Sequence, residues 1–225
     1  MPTECEETFL MKIVTVNASP RIVWNTASLV REAAAGAASE GAIIKHFDLY
    51  RLENFTGCVS CFGCKTRDHL GECICNDGLK PVLDEIRSAD GLIIGTPNYL
   101  GDVSAAFRAM YERLIFQSLS YKNDPRCYNE HRIPVLLIMT SNAPEELYDK
   151  IGYDKMLEGY RNTLSGFVGN TVIMISGDTL QVNDYEKYSW TMFDADAKRE
   201  RHDNIFPQEK KRAFEFGADM VKAPW

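Results

Sequence analysis

Lys12-Ile13-Val14-Thr15-Val16, followed by Asn17-Ala18-Ser19-Pro20-Arg21 and then Trp24-Asn25-Thr26, is the stretch that decides the fold. Its first five residues, rich in β-branched side chains, predict a buried strand. Small polar residues and a proline come next. Asn25 and Thr26 then open a helical stretch through Ser39, with Ala33, Ala34 and Ala37 on one side and Gly41 placed to end it. The same strand, loop and helix unit recurs along the chain. Further strands are expected at Ala42–Leu49, Gly91–Gly95, Ile133–Met139 and Thr171–Ile175. Helices are expected at Leu79–Ala89, from Asp102 or Ser104 to about Gln117, at Glu145–Leu164 and at Gln208–Lys222. Phe107, Tyr111, Leu114 and Ile115 give the third of these its apolar stripe.

Short apolar strands separated by helices predict an α/β fold with a five-stranded parallel sheet covered on both faces. Right-handed crossovers make it a three-layer α/β/α sandwich. No repeat or linker divides the chain, so residues 11–225 read as a single domain behind a loose, polar tail at residues 1–10. Residues 118–132 and 177–207 read as irregular and longer than the fold needs. They carry Tyr121, Tyr128, Tyr185, Tyr188, Trp190 and Phe193, more aromatic surface than a bare core requires, which predicts a homodimer or homotetramer.

A net charge of −7 over 225 residues argues against nucleic acid as a partner, because phosphate backbones select basic faces. The acidic start, MPTECEETFL, is unlike a signal peptide, and the apolar run after it is too short to span a membrane. A cytoplasmic protein with no membrane partner is the expectation.

Ligands of open α/β sheets sit beyond the carboxyl ends of the strands. Three such ends are polar here. After the first strand, the hydroxyls of Ser19 and Thr26, the Asn25 amide and the free N–H groups of a helix start can hold a phosphate, with Arg21 supplying charge. A capped helix after a proline turn uses the same residue types. After the third strand, Pro97 fixes a turn while Asn98 and backbone amides can hydrogen-bond a flat polar heterocycle and Tyr99 can lie along it. Thr140-Ser141-Asn142-Ala143-Pro144 forms a third small polar loop on the same edge. No GxGxxG or Walker glycine pattern is present, which removes support from dinucleotide-fold and P-loop readings.

Ser19-Pro20-Arg21 with Asn25-Thr26, then Thr96-Pro97-Asn98-Tyr99 and a helix containing Glu112-Arg113, resembles the NADPH-dependent FMN reductases of the flavodoxin-like superfamily. The resemblance runs roughly from Met11 to Ser176. It implies that Ser19, Arg21, Asn25 and Thr26 contact the FMN phosphate. It places Pro97, Asn98, Tyr99 and Leu100 at the isoalloxazine, with Ser141 and Asn142 as further ring contacts. The implied activity is an FMN-dependent oxidoreduction: NADPH or NADH reduces the flavin, which reduces a flavin, quinone, azo compound or iron–sulfur centre. The flavin carries that chemistry, so no protein general base is named. A non-enzymatic electron carrier is the alternative, as is a zinc-stabilised binding module without FMN.

Five of the seven cysteines, Cys58, Cys61, Cys64, Cys73 and Cys75, fall within eighteen residues, while Cys5 and Cys127 stand apart. Cys58-Val59-Ser60-Cys61-Phe62-Gly63-Cys64 is a Cys-x2-Cys-x2-Cys run whose spacing lets three thiolates converge on one cluster. Its position between the second strand and second helix resembles the iron–sulfur flavoproteins, which implies a 4Fe–4S cluster on Cys58, Cys61, Cys64 and Cys73, or with Cys75 as the fourth ligand. The gap from Cys64 to Cys73 is longer than that family's compact spacing. Zinc on Cys58, Cys61, Cys64 and either His69 or Cys73 is a second reading, and unligated packing or redox thiols a third.

Overall fold

The computed structural model describes residues 10–225; the tail expected at residues 1–10, and Cys5 with it, lies almost wholly outside the described residues. Five strands form one sheet: β1 (Lys12–Asn17), β2 (Ile43–Asp48), β3 (Gly91–Pro97), β4 (Val135–Thr140) and β5 (Thr171–Ser176). Their order is β2-β1-β3-β4-β5 and every pair is parallel. The chain therefore steps outward from β1 to β2, then crosses back to place β3 on the other side of β1. That reversal opens a crevice at the carboxyl ends of β1 and β3.

Strand alternation fills two cores. Leu92 and Ile94 of β3, with Val135, Leu137 and Met139 of β4, face helices α2 (Lys80–Arg87), α3 (Ala105–Ser118) and α5 (Tyr153–Phe167). Ile93, Leu136 and Ile138 face the opposite way, onto α1 (Asn25–Ser39) and α7 (Phe206–Lys222). Each of these side chains is fully buried, as a parallel sheet covered on both faces requires. The expected three-layer sandwich is the observed one.

The differences lie where periodicity carries no signal. The helix expected over Glu145–Leu164 breaks at Gly152, whose φ of 80° no other residue adopts cheaply, so α4 (Tyr148–Ile151) and α5 are separate. The segment 177–207, expected to be irregular, contains α6 (Ala195–Asn204). Its sequence, ADAKRERHDN, has no apolar stripe; the Asp194 side chain starts it by accepting from the N–H groups of Asp196 and Ala197. The aromatics there partly cover one another: Tyr188 stacks on Trp190 with centroids 4.4 Å apart, and Tyr185 is buried, whereas Tyr121, Tyr188 and Trp190 are exposed. No helix of the described residues is long and apolar enough to cross a membrane.

Helices α1 and α7 approach so closely that backbone meets backbone. A Cβ added at Gly217 would lie 1.8 Å from the Ala33 carbonyl oxygen, and one at Gly36 would lie 1.9 Å from that of Phe214. Neither obstacle is a flexible side-chain end, so the helices must separate to admit a methyl group. Overpacking of this kind costs about 1–3 kcal/mol, which outweighs the gain of up to about 1 kcal/mol that alanine brings to a helix interior. Gly217→Ala is therefore expected to lower stability in denaturant melts despite its better helix propensity. A stabilised variant would show that the two helices are not in this contact.

Candidate functional site

The loops after β1, β3 and β4 are stitched to one another. The Ala18 N–H donates to the Gly95 carbonyl at 2.8 Å, and the Ser104 hydroxyl donates to the Ala18 carbonyl at 2.6 Å. Thr96 Oγ1 accepts from the Ser104 N–H, the Asn98 N–H donates to the Thr140 carbonyl, and the Thr26 and Thr140 hydroxyls pair at 2.7 Å. Ser104 also caps α3 by accepting from the Phe107 N–H. Ser19, Thr26, Thr96, Ser104 and Thr140 are all buried. Buried hydroxyls at these positions satisfy the strand ends without long side chains, which keeps the crevice open.

Around this frame the residues expected at a phosphate divide into two groups. Ser19 stays within its loop: its N–H donates to Asn17 Oδ1 and its hydroxyl accepts from the Arg21 N–H. Asn25 does not cap α1. The capping position is Trp24, which makes no side-chain cap, and Asn25 Nδ2 instead donates to the Leu180 carbonyl at 2.8 Å, beside Trp24 Nε1 at 3.1 Å. The Arg21 guanidinium reaches the Gln181 carbonyl. The segment after β5 thus lies against the start of α1, a role the sequence did not disclose. The first turn of α1 has neither a side-chain cap nor an acidic residue, so its N–H groups and positive dipole end are open to an anion.

The loop after β3 presents the ring-binding candidates. The Tyr99 N–H and carbonyl pair with Asp102, and Asn98 Oδ1 accepts from the Gly101 N–H, which tightens the turn. Leu100, fully exposed, sits in the left-handed region at φ 56°. An apolar side chain in that conformation and wholly in solvent is a strained display, of the kind that clusters at ligand sites. Burial raises the Tyr99 phenol against the opposing pull of the Arg21 charge. Asn98 Nδ2 is buried with no hydrogen-bond partner among the described residues. A flat heterocycle with carbonyl oxygens fits that donor.

Ser141 and Asn142, expected as further ring contacts, have polar groups engaged within the protein. The Ser141 hydroxyl donates to the Ala143 carbonyl and accepts from the Tyr148 phenol, which burial pushes up to about 12 and so keeps protonated. Asn142 is gripped through its carbonyl and Oδ1 by the buried ammonium of Lys198, which also pairs with Asp178. Lys198, on α6, was not legible because α6 was not. Together with Asn98, Leu100, Leu147, Tyr153 and Phe193 it lines a cavity of about 690 Å³ next to the ring loop.

The cysteine segment is bound to α3. Lys65 Nζ donates to the carbonyls of Phe116, Gln117 and Leu119 and so closes the carboxyl end of that helix. Arg113, almost wholly buried, pairs with Asp77 at 2.7 Å and donates to the Cys75 carbonyl; Gln117 Oε1 accepts from the Cys73 N–H. Cys58, Cys61, Cys64, Cys73 and Cys75 line one cavity with Arg113 and Gln117. Burial raises the Cys64 thiol, and the neighbouring Cys73 and Cys58 add to the rise against the opposing pull of Lys65. The cavity is narrow, about 20 Å³. Among the described residues no three His, Cys, Asp or Glu side chains already surround one point as metal ligands do. His69 is not among the lining residues, and Cys127 lies away from them, its thiol donating to the Phe167 carbonyl. In the arc from Cys58 to Phe62 that lines the cavity, Cys61 is exposed and Ser60 and Phe62 hold left-handed φ angles of 54° and 58°.

A family model of NADPH-dependent FMN reductases matches residues 11–143. An iron–sulfur flavoprotein of Methanocaldococcus jannaschii is 36% identical over 103 residues, which are 46% of this chain and 51% of that protein. An iron–sulfur flavoprotein of Methanosarcina thermophila is 28% identical over 109 residues, 47% of this chain and 53% of that protein. The chain thus spans about half the length of the curated relatives it matches. Among solved structures, an NAD(P)H:quinone oxidoreductase from Methanothermobacter marburgensis superposes with a TM-score of 0.68 at 16% identity, over 94% of this chain and 98% of that one. An FMN-dependent NADH-azoreductase from Bacillus anthracis, in complex with FMN, superposes at 0.61 with 13% identity, over 93% and 99%. At such identities the likeness is one of fold.

The pair of Arg113 and Asp77 sets a pH dependence. Burial alone would raise the Asp77 carboxyl, but Arg113 and the N–H groups of Leu79 and Thr56 hold it below its ordinary value. A depressed carboxylate contributes stability above its unfolded pKa, near 4, and loses it as pH falls through the lower folded value. Asp77→Asn leaves the buried guanidinium without a counter-charge, at a cost of about 3 kcal/mol at pH 7. Chemical denaturation from pH 7 down to pH 2 should show the gap between wild type and variant closing below about pH 4. A gap that stays constant over that range contradicts the pairing.

Proposed function

The chain belongs to the NADPH-dependent FMN reductase family, and from that premise we propose that residues 11–225 are one FMN-binding domain of an oxidoreductase that takes electrons from NADPH or NADH. The observation that carries the reading is the joined edge at β1, β3 and β4. It combines an uncapped helix start beside Ser19 and Arg21, a strained Leu100 in solvent and a buried Asn98 Nδ2 without a partner among the described residues. Bound FMN supplies hydride acceptance from the nicotinamide and onward transfer of electrons to a flavin, quinone, azo compound or iron–sulfur centre.

The protein's own residues bind and orient. Ser19, Thr26 and the first turn of α1 hold the phosphate, and Arg21 adds charge once it leaves the Gln181 carbonyl. Asn25 acts through Leu180, positioning the segment that walls the phosphate side. Pro97, Tyr99 and Leu100 present a rigid surface to the ring, and Asn98 Nδ2 donates to a carbonyl on its edge. Asn142 and Lys198 shape the neighbouring cavity, where a planar acceptor or the nicotinamide would lie. The exposed Tyr121, Tyr188 and Trp190 support self-association as a dimer or tetramer.

Purified protein tests this directly. Mass analysis of the released flavin should give FMN, the flavin-loaded protein should oxidise NADPH or NADH, and light scattering should give a mass above the 25.5 kDa of one chain. FAD in place of FMN would sink the FMN assignment, and bound FMN with no nicotinamide oxidation would favour a carrier.

A second reading concerns the cysteines, and the observation that favours it is their common cavity. We infer that Cys58, Cys61, Cys64 and Cys73 would hold a 4Fe–4S cluster, which would supply one-electron chemistry. The Cys75 thiol donates to Asp77 Oδ2, 3.8 Å away, which occupies it as a thiol and leaves Cys73 as the fourth ligand. Protein prepared without oxygen should contain about four irons and four sulfides per chain, and Cys61→Ser should lose them. Stoichiometric zinc, or no metal with full FMN-dependent activity, would favour the structural or thiol alternatives.

A further inference from the structure

Helix α3 carries two polar side chains on a face that is otherwise apolar. Arg113 and Gln117 follow Met110 and Leu114 into the core, and both are about 2% exposed. Most of their hydrogen-bonding groups are satisfied. The terminal nitrogens of Arg113 donate to Asp77, the Cys75 carbonyl and the Thr56 carbonyl. Gln117 Oε1 accepts from the Cys73 N–H, and because that N–H can only donate, the orientation of the amide is fixed. What remains is one donor on each: Arg113 Nε and Gln117 Nε2 are buried and without an acceptor among the described residues. Both side chains line the cavity that the five cysteines share.

A buried N–H with no acceptor is strongly unfavourable, and one on a guanidinium more so. Two of them on side chains that line one small cavity, beside thiols, indicate a guest rich in electron pairs and negative charge. Sulfur of a cluster and of its thiolate ligands answers that description, and hydrogen bonds to those sulfurs are a known control of cluster potential. Resting on the cluster reading above, we propose that Arg113 Nε and Gln117 Nε2 donate to sulfur at the cluster and raise its reduction potential. Reduction adds an electron and makes the sulfurs more negative, so each N–H binds the reduced state more strongly than the oxidised one. The same two residues fix the Cys73 and Cys75 backbone, so that ligand placement and electronic tuning are joined on one helix face.

The test uses the full chain prepared anaerobically, with iron and sulfide determined for every sample. Gln117→Glu keeps an acceptor for the Cys73 N–H and removes the donor; Gln117→Leu removes both. In Gln117→Glu, which keeps the Cys73 contact, the iron and sulfide content should match wild type; in Gln117→Leu, which loses it, the potential is read on the cluster that remains. The equilibrium constant for cluster reduction, read in an EPR-monitored redox titration, should fall about tenfold, a shift of about 59 mV for one electron. An exchangeable-proton coupling to the reduced cluster should also be lost. Arg113→Lys, which keeps a cation for Asp77 but has no Nε donor, should move the potential the same way. An intact cluster whose potential and proton coupling are unchanged in both Gln117 variants overturns the tuning role alone. Iron-free wild-type protein overturns it together with the cluster reading.

Discussion

The site depends on how a parallel sheet ends. At the carboxyl edge of β1, β3 and β4 the backbone leaves the ladder, and its buried polar groups must find partners at once. Here they find one another: the Ser104 hydroxyl on the Ala18 carbonyl, Thr96 on the Ser104 N–H, Thr26 on Thr140. Short hydroxyl side chains do this work, so three loops are held together while the space above them stays free. Pro20, Pro97 and Pro144 limit the conformations of the same loops. Binding residues set on such a frame need little reorganisation when a ligand arrives.

A second constraint organises the cysteine segment, which has no strand or long helix of its own. Its order comes from α3. Lys65 closes that helix's carboxyl end, while Arg113 and Gln117 reach out of its buried face to hold the backbone near Cys73 and Cys75. One helix therefore begins at the ring loop, where Ser104 caps it, and ends beneath the thiols. A flavin at the first end and a cluster at the second would be linked by a single rigid element.

Much of this was legible in residue order. Continuous apolar runs such as Gly91-Leu92-Ile93-Ile94-Gly95 identify fully buried parallel strands, and the polar loops that follow them mark the crevice. What stayed hidden depends on contacts far apart in sequence. Nothing near Asn25 reveals that its amide meets the Leu180 carbonyl, so a helix cap was the natural expectation. ADAKRERHDN lacks an apolar period, so α6 and the buried Lys198 it carries were missed. The Ser141 hydroxyl donates to the Ala143 carbonyl and accepts from Tyr148, seven residues on. Arg113 and Gln117 did leave a trace: they occupy positions in the Met110 and Leu114 stripe where apolar residues are expected, and a polar residue in an apolar stripe marks a buried network.

We place the flavin at the joined loops after β1, β3 and β4. A crystal structure of the FMN-loaded protein tests it most directly. The phosphate is expected at the first turn of α1, beside Ser19 and Arg21, and the ring against Pro97, Tyr99 and Leu100, with Asn98 Nδ2 donating to a ring carbonyl. A flavin bound elsewhere on the chain, with the Asn98 amide still unpartnered, would contradict it.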